Sequence, residues 1–320
     1  MTKRAFIFPG QGSQAVGMGK DLADAFTEAR EVYQEVDDVL GTKLSKLIFE
    51  GPMDILTLTE NAQPAIMATS LAIFRILQKQ GGLDLRKTAA YVAGHSLGEY
   101  SALCAAASLS LADTARLLQL RGRAMQEAVP QGKGSMGVLL GVDLDTAKVI
   151  AEEAAGSEVC QVANDNSPGQ VVISGTTGAI ERAAPIATAR GAKRLLPLQV
   201  SAPFHSALMA PAAARMEEAL ASVMIEAPSV PLIANVTATA TSDAEAIRRL
   251  LVEQVTGMVR WRETIHYMAK HHVTETIEVG FGKVLSGLTK RTEDAIKATP
   301  VGTPLEIEQF LGSLEGKINS

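Results

Sequence analysis

The chain has 320 residues, of which 47% are hydrophobic, 20% charged and only 4% aromatic, enough for a sizeable core built on Ala, Leu, Val and Ile. A formal charge of -5 argues against nucleic acid or an anionic membrane surface as the main partner. Five histidines and two cysteines, Cys104 and Cys160, are too sparse and scattered for a metal cluster or a disulfide framework.

In chain order, "RAFIF" reads as a short apolar strand followed by the glycine-rich "PGQGSQ". Helical patterns run through "ADAFTEAREVYQEVDDVL" and again from Gln63 to Gln80, and "AAYVAGHS" is a second strand leading into helix at Ser96. Short apolar strands alternating with longer helices indicate an α/β fold around a largely parallel sheet. The rhythm changes between Gly132 and Val200. There "GSMGVLLGV", "EVCQVAN", "QVVISG" and "AKRLLPLQV" are strands, with helices after the first and the third. That order, βαββαβ, is the ferredoxin-like pattern. Residues 131–198 are therefore expected to form a small subdomain inserted into a body made of 1–130 and 199–320. "IANVTA" and "ETIEVG" are expected to return to the large sheet as strands.

The stretch Gly94-His95-Ser96-Leu97-Gly98 fits G-x-S-x-G. The pattern alone is common. After an apolar strand and before the helix-forming "LGEYSALCAAASL", however, it reads as a sharp turn that displays a nucleophilic serine, with the following amide facing a developing oxyanion. Such a serine needs a base. His95 is adjacent, but side chains of neighbours at such a turn diverge. His266, His271 and His272 lie in "RETIHYMAKHHVTE", a charged and solvated helix face. His205, in the loop "VSAPFHSALM" just after a strand, is favoured over them, because α/β folds hold catalytic groups at strand ends. No Asp or Glu at a telling spacing completes a triad. A backbone carbonyl accepting the other ring N–H would serve instead.

The helix "SLADTARLLQLRGRAMQEAV" carries Arg116 and Arg123 on its polar face. Arg121 falls on the opposite side, among Leu117, Leu118, Ala124 and Met125. An unpaired guanidinium there would cost several kcal/mol. Its partner is either a protein carboxylate or the carboxylate of a ligand such as a malonyl group, gripped by the guanidinium fork. "GQGSQA", Gly10 to Ala15, formally matches a dinucleotide fingerprint, but the polar helical "AREVYQEVDDVL" stands where that motif requires a second strand. A backbone amide delivered near Ser96 is the better role for it.

"FPGQGSQ", "GHSLGEYSAL", "QLRGRAMQ", "NSPGQVVISG", "SAPFHSALM" and "VRW", in this order and over essentially the whole chain, closely resemble malonyl-CoA:acyl carrier protein transacylases. The resemblance implies an α/β-hydrolase-like body with a ferredoxin-like insert. It implies Ser96 as nucleophile, His205 as base and Arg121 as the anchor of the malonyl carboxylate. Gln11 and Leu97 match the oxyanion-hole amides, and Gln254 the residue whose main-chain carbonyl orients the histidine. Phe204 resembles the residue associated with malonyl choice; Met125, Asn166 and Val284 are expected around the acyl group. Met258 and Phe281 stand where proline is common in the family, in loops expected near the site. The implied partners are malonyl-CoA and an acyl carrier protein, with "GAKR" (Lys193, Arg194) and "KHH" from Lys270 as candidate docking patches.

No bound cofactor or metal is implied. "MTKRAFIFPGQG" lacks the apolar run of a signal peptide, no run reaches membrane-spanning length, and a cytoplasmic monomer is the expectation. A serine thioesterase or other hydrolase is the competing reading; it would need no inward arginine. A carrier-binding scaffold without acyl chemistry is the third.

Overall fold

The computed structural model describes residues 3–315; Met1 and Thr2, which begin the "MTKRAF" stretch, lie outside the described residues. Two sheets organise the chain. The larger has six strands in the order β10 (Lys297–Val301), β9 (Glu275–Val279), β1 (Arg4–Phe8), β2 (Tyr91–Gly94), β7 (Leu232–Ile233) and β8 (Ala240–Thr241). All neighbours are parallel except the closing β7–β8 pair. Strand β1 is buried at every position, which is why "RAFIF" is a continuous apolar run rather than an alternating one. Period-two geometry sends Phe6 and Phe8 into one core and Ala5 and Ile7, with Trp261, into the other.

The second sheet is antiparallel: β4 (Cys160–Ser167), β5 (Gln170–Thr176), β3 (Gly134–Leu140) and β6 (Arg194–Pro197), in that order. Its faces divide cleanly. Leu139, Val171 and Ile173 pack on helices Leu144–Ala155 and Thr177–Ala189, making a small core of their own. Met136, Val138 and Val172 face the main core instead. Asp165 pairs with Arg262 at 2.8 Å, tying β4 to the helix Trp261–Lys270, which packs on the larger sheet.

Three expectations need correction. Residues 23–40, read as one helix, are the helices Lys20–Ala25 and Thr27–Leu40, interrupted where Phe26 takes extended backbone. "IANVTA" is hardly a strand: pairing stops at Ile233, and the chain turns through Ala238 at φ 51° toward β8. The departure lets the Asn235 side chain reach the turn after β2. In "AKRLLPLQV" the strand covers Arg194–Pro197 alone; the Leu198 amide still donates to the Met136 carbonyl, and Leu198, Gln199 and Val200 line a cavity. The helix Thr177–Ala189 runs unbroken through Pro185.

Candidate active site

Strand β2 ends at Gly94 and the helix Gly98–Ala105 begins four residues later, with Ser96 between them at φ 53°. Such a left-handed conformation is strained for serine. Crowding explains the flanking glycines. A Cβ on Gly94 would sit 1.9 Å from the Gly98 carbonyl, and one on Gly98 would sit 2.2 Å from the Phe8 carbonyl oxygen. Asn235 holds the turn shut. Its Oδ1 accepts from the Ser96 amide at 2.8 Å and its Nδ2 donates to the Gly94 carbonyl at 2.7 Å.

His205 also has a left-handed backbone, at φ 55°, and its Nε2 lies 2.8 Å from Ser96 Oγ. Its Nδ1 faces two carbonyls, Gln254 at 2.9 Å and Gly257 at 3.1 Å. Both accept only, so the ring proton belongs on Nδ1 and Nε2 is left to accept from the serine hydroxyl. The Gln254 carbonyl is free because it lies in the last turn of the helix Ala244–Thr256, where carbonyls lack intrahelical partners. Burial, reinforced by the Arg121 charge, pushes the imidazole pKa down to about 3. The base is thus neutral and ready to take a proton.

Arg121, on the helix Leu111–Glu127, is 1% exposed. Its Nη1 donates to Gln63 Oε1 at 2.8 Å, and its Nη2 to Gln254 Oε1 at 2.7 Å and Ser96 Oγ at 3.2 Å. Nε has no hydrogen-bond partner among the described residues. The guanidinium carbon lies 5.7 Å from the centroid of the Tyr100 ring. Every hydrogen-bond acceptor is neutral, and no carboxylate among the described residues forms an ion pair with this cation. Burial accordingly pulls its pKa down, opposed by Tyr100 and Glu99. The alternative of a structural salt bridge is therefore not what the fold contains.

Ser96, His205 and Arg121 open onto one cavity of about 450 Å³, also lined by Gln11, Leu97, Met125 and Phe204. Neither the Gln11 nor the Leu97 amide has an acceptor among the described residues. Two expected neighbours are elsewhere. Asn166 Oδ1 accepts from His95 Nε2 at 2.8 Å, supporting a half-buried ring packed beside Trp261, and is not part of the lining. Val284 is 53% exposed at the start of the helix Val284–Thr292. The Glu278 carboxylate accepts from the next two amides and fixes that helix start away from the cavity. Met258 and Phe281 are half-buried and also outside the lining.

Three site residues escaped the sequence reading: Asn235, Gln63 and Glu99. Glu99 is fully buried beneath the serine; its Oε2 accepts from Gln254 Nε2 at 2.6 Å and from the Asn235 amide at 3.3 Å. Only the helical phase of Glu99, one turn after Ser96 on an otherwise apolar helix, hinted at an inward carboxylate. Of the two basic patches, Lys193 and Arg194 are exposed at the start of β6, the strand that leads to the cavity wall. The Lys270 patch is at the other end of the large sheet. His271 packs on Tyr91, the first residue of β2, and its carbonyl accepts from Lys3.

A serine displayed on a strained turn, a neutral imidazole and a buried cation in one cavity define an acyl-group handling site. The chain belongs to the acyl transferase domain family, whose model matches residues 5–310, and it is an acyltransferase. Among curated relatives it is 45% identical to the malonyl CoA-acyl carrier protein transacylase of Bacillus subtilis (strain 168), over 98% of both chains. It is 46% identical to the enzyme of that name from Escherichia coli (strain K12), over 95% of this chain and 97% of the relative. Its fold matches the crystal structure of acyl-carrier-protein-S-malonyltransferase from Bartonella henselae with a TM-score of 0.95 at 56% identity, covering 98% of this chain and 99% of that one. A malonyl-transacylase solved in complex with its type II PKS acyl-carrier protein matches with a TM-score of 0.94 at 43% identity, over 98% of this chain and 100% of that one.

Proposed function

We propose that the chain transfers a malonyl group from malonyl-CoA to the phosphopantetheine thiol of an acyl carrier protein, through a malonyl ester on Ser96. The observation that carries this reading is Arg121: a buried cation with only neutral acceptors, 3.2 Å from the serine oxygen. A carboxylate on the acyl group would complete it.

The cycle is ping-pong. His205 Nε2 takes the Ser96 proton as Oγ attacks the thioester carbon, and the Gln11 and Leu97 amides receive the oxyanion. Collapse expels the coenzyme A thiolate, which takes the proton from His205. The carrier thiol then gives its proton to His205, attacks the ester carbon and leaves malonyl on sulfur, while Ser96 recovers its proton. Each oxyanion donor supplies roughly 10²–10³-fold and the base about 10²–10⁴-fold. Both malonyl donor and product are thioesters, so the enzyme must favour thiol over water rather than drive an uphill step. A malonyl carboxylate on Arg121 also offsets the charge that depresses His205, making the base stronger when the correct acyl group is bound.

The same reading makes 1–130 with 199–320 an α/β-hydrolase-like body and 131–198 a ferredoxin-like insert, supported by the separate small core and the strand order β4-β5-β3-β6. Among the described residues no helix is long and apolar enough to cross a membrane, and a cytoplasmic enzyme of fatty-acid or polyketide synthesis is the role that fits. Lys193 and Arg194 are the patch proposed to meet an acidic carrier. The test is acid quenching after exposure to labelled malonyl-CoA. Wild type should retain label on protein and Ser96→Ala none; label surviving in Ser96→Ala would remove the nucleophile assignment.

A further inference from the structure

Gln254 is shared by every part of the site. Its main-chain carbonyl faces His205 Nδ1 at 2.9 Å, its Oε1 accepts from Arg121 at 2.7 Å, and its Nε2 donates to the Ser96 carbonyl at 3.0 Å. A primary amide can be turned end for end at little intrinsic cost. In the reversed state an NH2 would face the guanidinium, donor against donor, and Arg121 would lose its aim. What selects the observed state is the set of acceptors around Nε2. Glu99 Oε2, at 2.6 Å, makes the shortest contact, and the Ser96 carbonyl and Asn235 Oδ1, at 3.3 Å, complete the set. Glu99 also accepts from the Asn235 main chain, so it braces both residues that hold the serine turn and the two catalytic partners.

We infer that Glu99 is a positioning residue for the transfer reaction: by fixing the Gln254 amide, it aims Arg121 at the acyl carboxylate and secures selectivity for acyl groups that carry one. The inference rests on the proposed role of Arg121. Glu99 touches neither the serine hydroxyl nor Arg121 as an ion pair, so its effect passes through Gln254. A carboxylate kept at full burial, with Oε1 unpartnered among the described residues, is otherwise a costly choice for a helix whose neighbours are Tyr100, Ala102 and Leu103. A hydrophobic residue of similar size would serve packing alone.

The experiment compares kcat/KM for malonyl-CoA and acetyl-CoA, with rates normalised to the burst of acyl-enzyme. Their ratio does not depend on the folded fraction. Glu99→Leu, which cannot accept a hydrogen bond, should lower the malonyl-to-acetyl ratio by tenfold or more. Glu99→Gln keeps an acceptor oxygen for Gln254 and should stay within threefold of the wild-type ratio. Where Glu99→Leu does not fold, Gln254→Leu removes the same amide while keeping the main-chain carbonyl, and it should lower the ratio tenfold too. A wild-type ratio in Glu99→Leu or Gln254→Leu, or a Glu99→Gln ratio as low as that of the leucine variants, overturns the inference. Arg121→Ala in the same assay separates the two layers. A collapsed ratio there beside an intact one in Glu99→Leu removes Glu99 alone, whereas an intact ratio in Arg121→Ala removes the arginine's role and this inference with it.

Discussion

Replacing Arg121 with Ala removes a buried cation that borders the serine. A guanidinium–carboxylate pair makes two charge-assisted hydrogen bonds, each contributing about 1.5–3 kcal/mol. Part of this is an exchange, because without substrate Nη2 already contacts Ser96 Oγ at 3.2 Å and that contact must be surrendered. The lower half of the range remains, about 3–4 kcal/mol, or roughly 10²–10³-fold in kcat/KM for malonyl-CoA. Acetyl-CoA has no carboxylate and should lose less than about threefold, or gain, since the variant also relieves the charge that weakens His205. The substitution leaves Gln63 Oε1 and Gln254 Oε1 without their donor, each costing about 1–3 kcal/mol, against the relief of a buried charge. The net change in folding stability should therefore be modest. Steady-state transfer to a holo carrier, with either donor and normalised to burst amplitude, measures the ratio. Equal losses for both donors would refute the argument and make the arginine structural.

Gly98→Ala would drive a methyl to 2.2 Å from the Phe8 carbonyl oxygen and 2.8 Å from that of Pro9. Denaturant unfolding should show a loss of about 1–3 kcal/mol or more, with activity falling as "PGQG" is displaced; an unchanged midpoint would contradict the packing reading. Two of the buried titrating groups, His205 and Glu99, impose opposite pH dependences. His205, depressed to about 3, contributes stability that is complete above its ordinary 6.5 and is lost as pH falls through the folded value. Its imidazole resonances should stay neutral from pH 8 down to 5; protonation near 6.5 would sink the assignment. Glu99 is raised from 4.5 to about 7, chiefly by burial and against the pull of Gln254, Asn235 and Arg121. Its contribution is complete below 4.5 and is lost as pH rises through 7. Glu99→Gln should therefore gain on wild type across that window, by at most roughly 3 kcal/mol at 1.36 kcal/mol per unit. A difference independent of pH would show that the carboxyl does not ionise there.

Much of the site was legible because its chemistry is local. The glycines at 94 and 98 report a collision that any side chain would cause, and Arg121 betrays itself by sitting out of phase on an amphipathic helix. The βαββαβ order was readable because each of its strands carries its own alternation or apolar run. What escaped reading depends on long-range placement. Asn235 lies 139 residues from the amide it holds and sat inside a stretch whose residues favour strand, so tertiary contact overrode local preference. Gln63 and Glu99 act through hydrogen bonds that no periodicity encodes. Val284 is a different case. The family resemblance suggested the site, whereas the Glu278 bonds to the following amides start a helix on which its side chain is exposed.

The most direct test of the central claim is intact-protein mass spectrometry after brief exposure to malonyl-CoA, repeated after adding a holo acyl carrier protein. The account predicts a malonyl adduct on Ser96 that persists without carrier and vanishes as the carrier gains the same mass. An adduct that decays equally fast without carrier, releasing free malonate, would contradict it and make the enzyme a hydrolase.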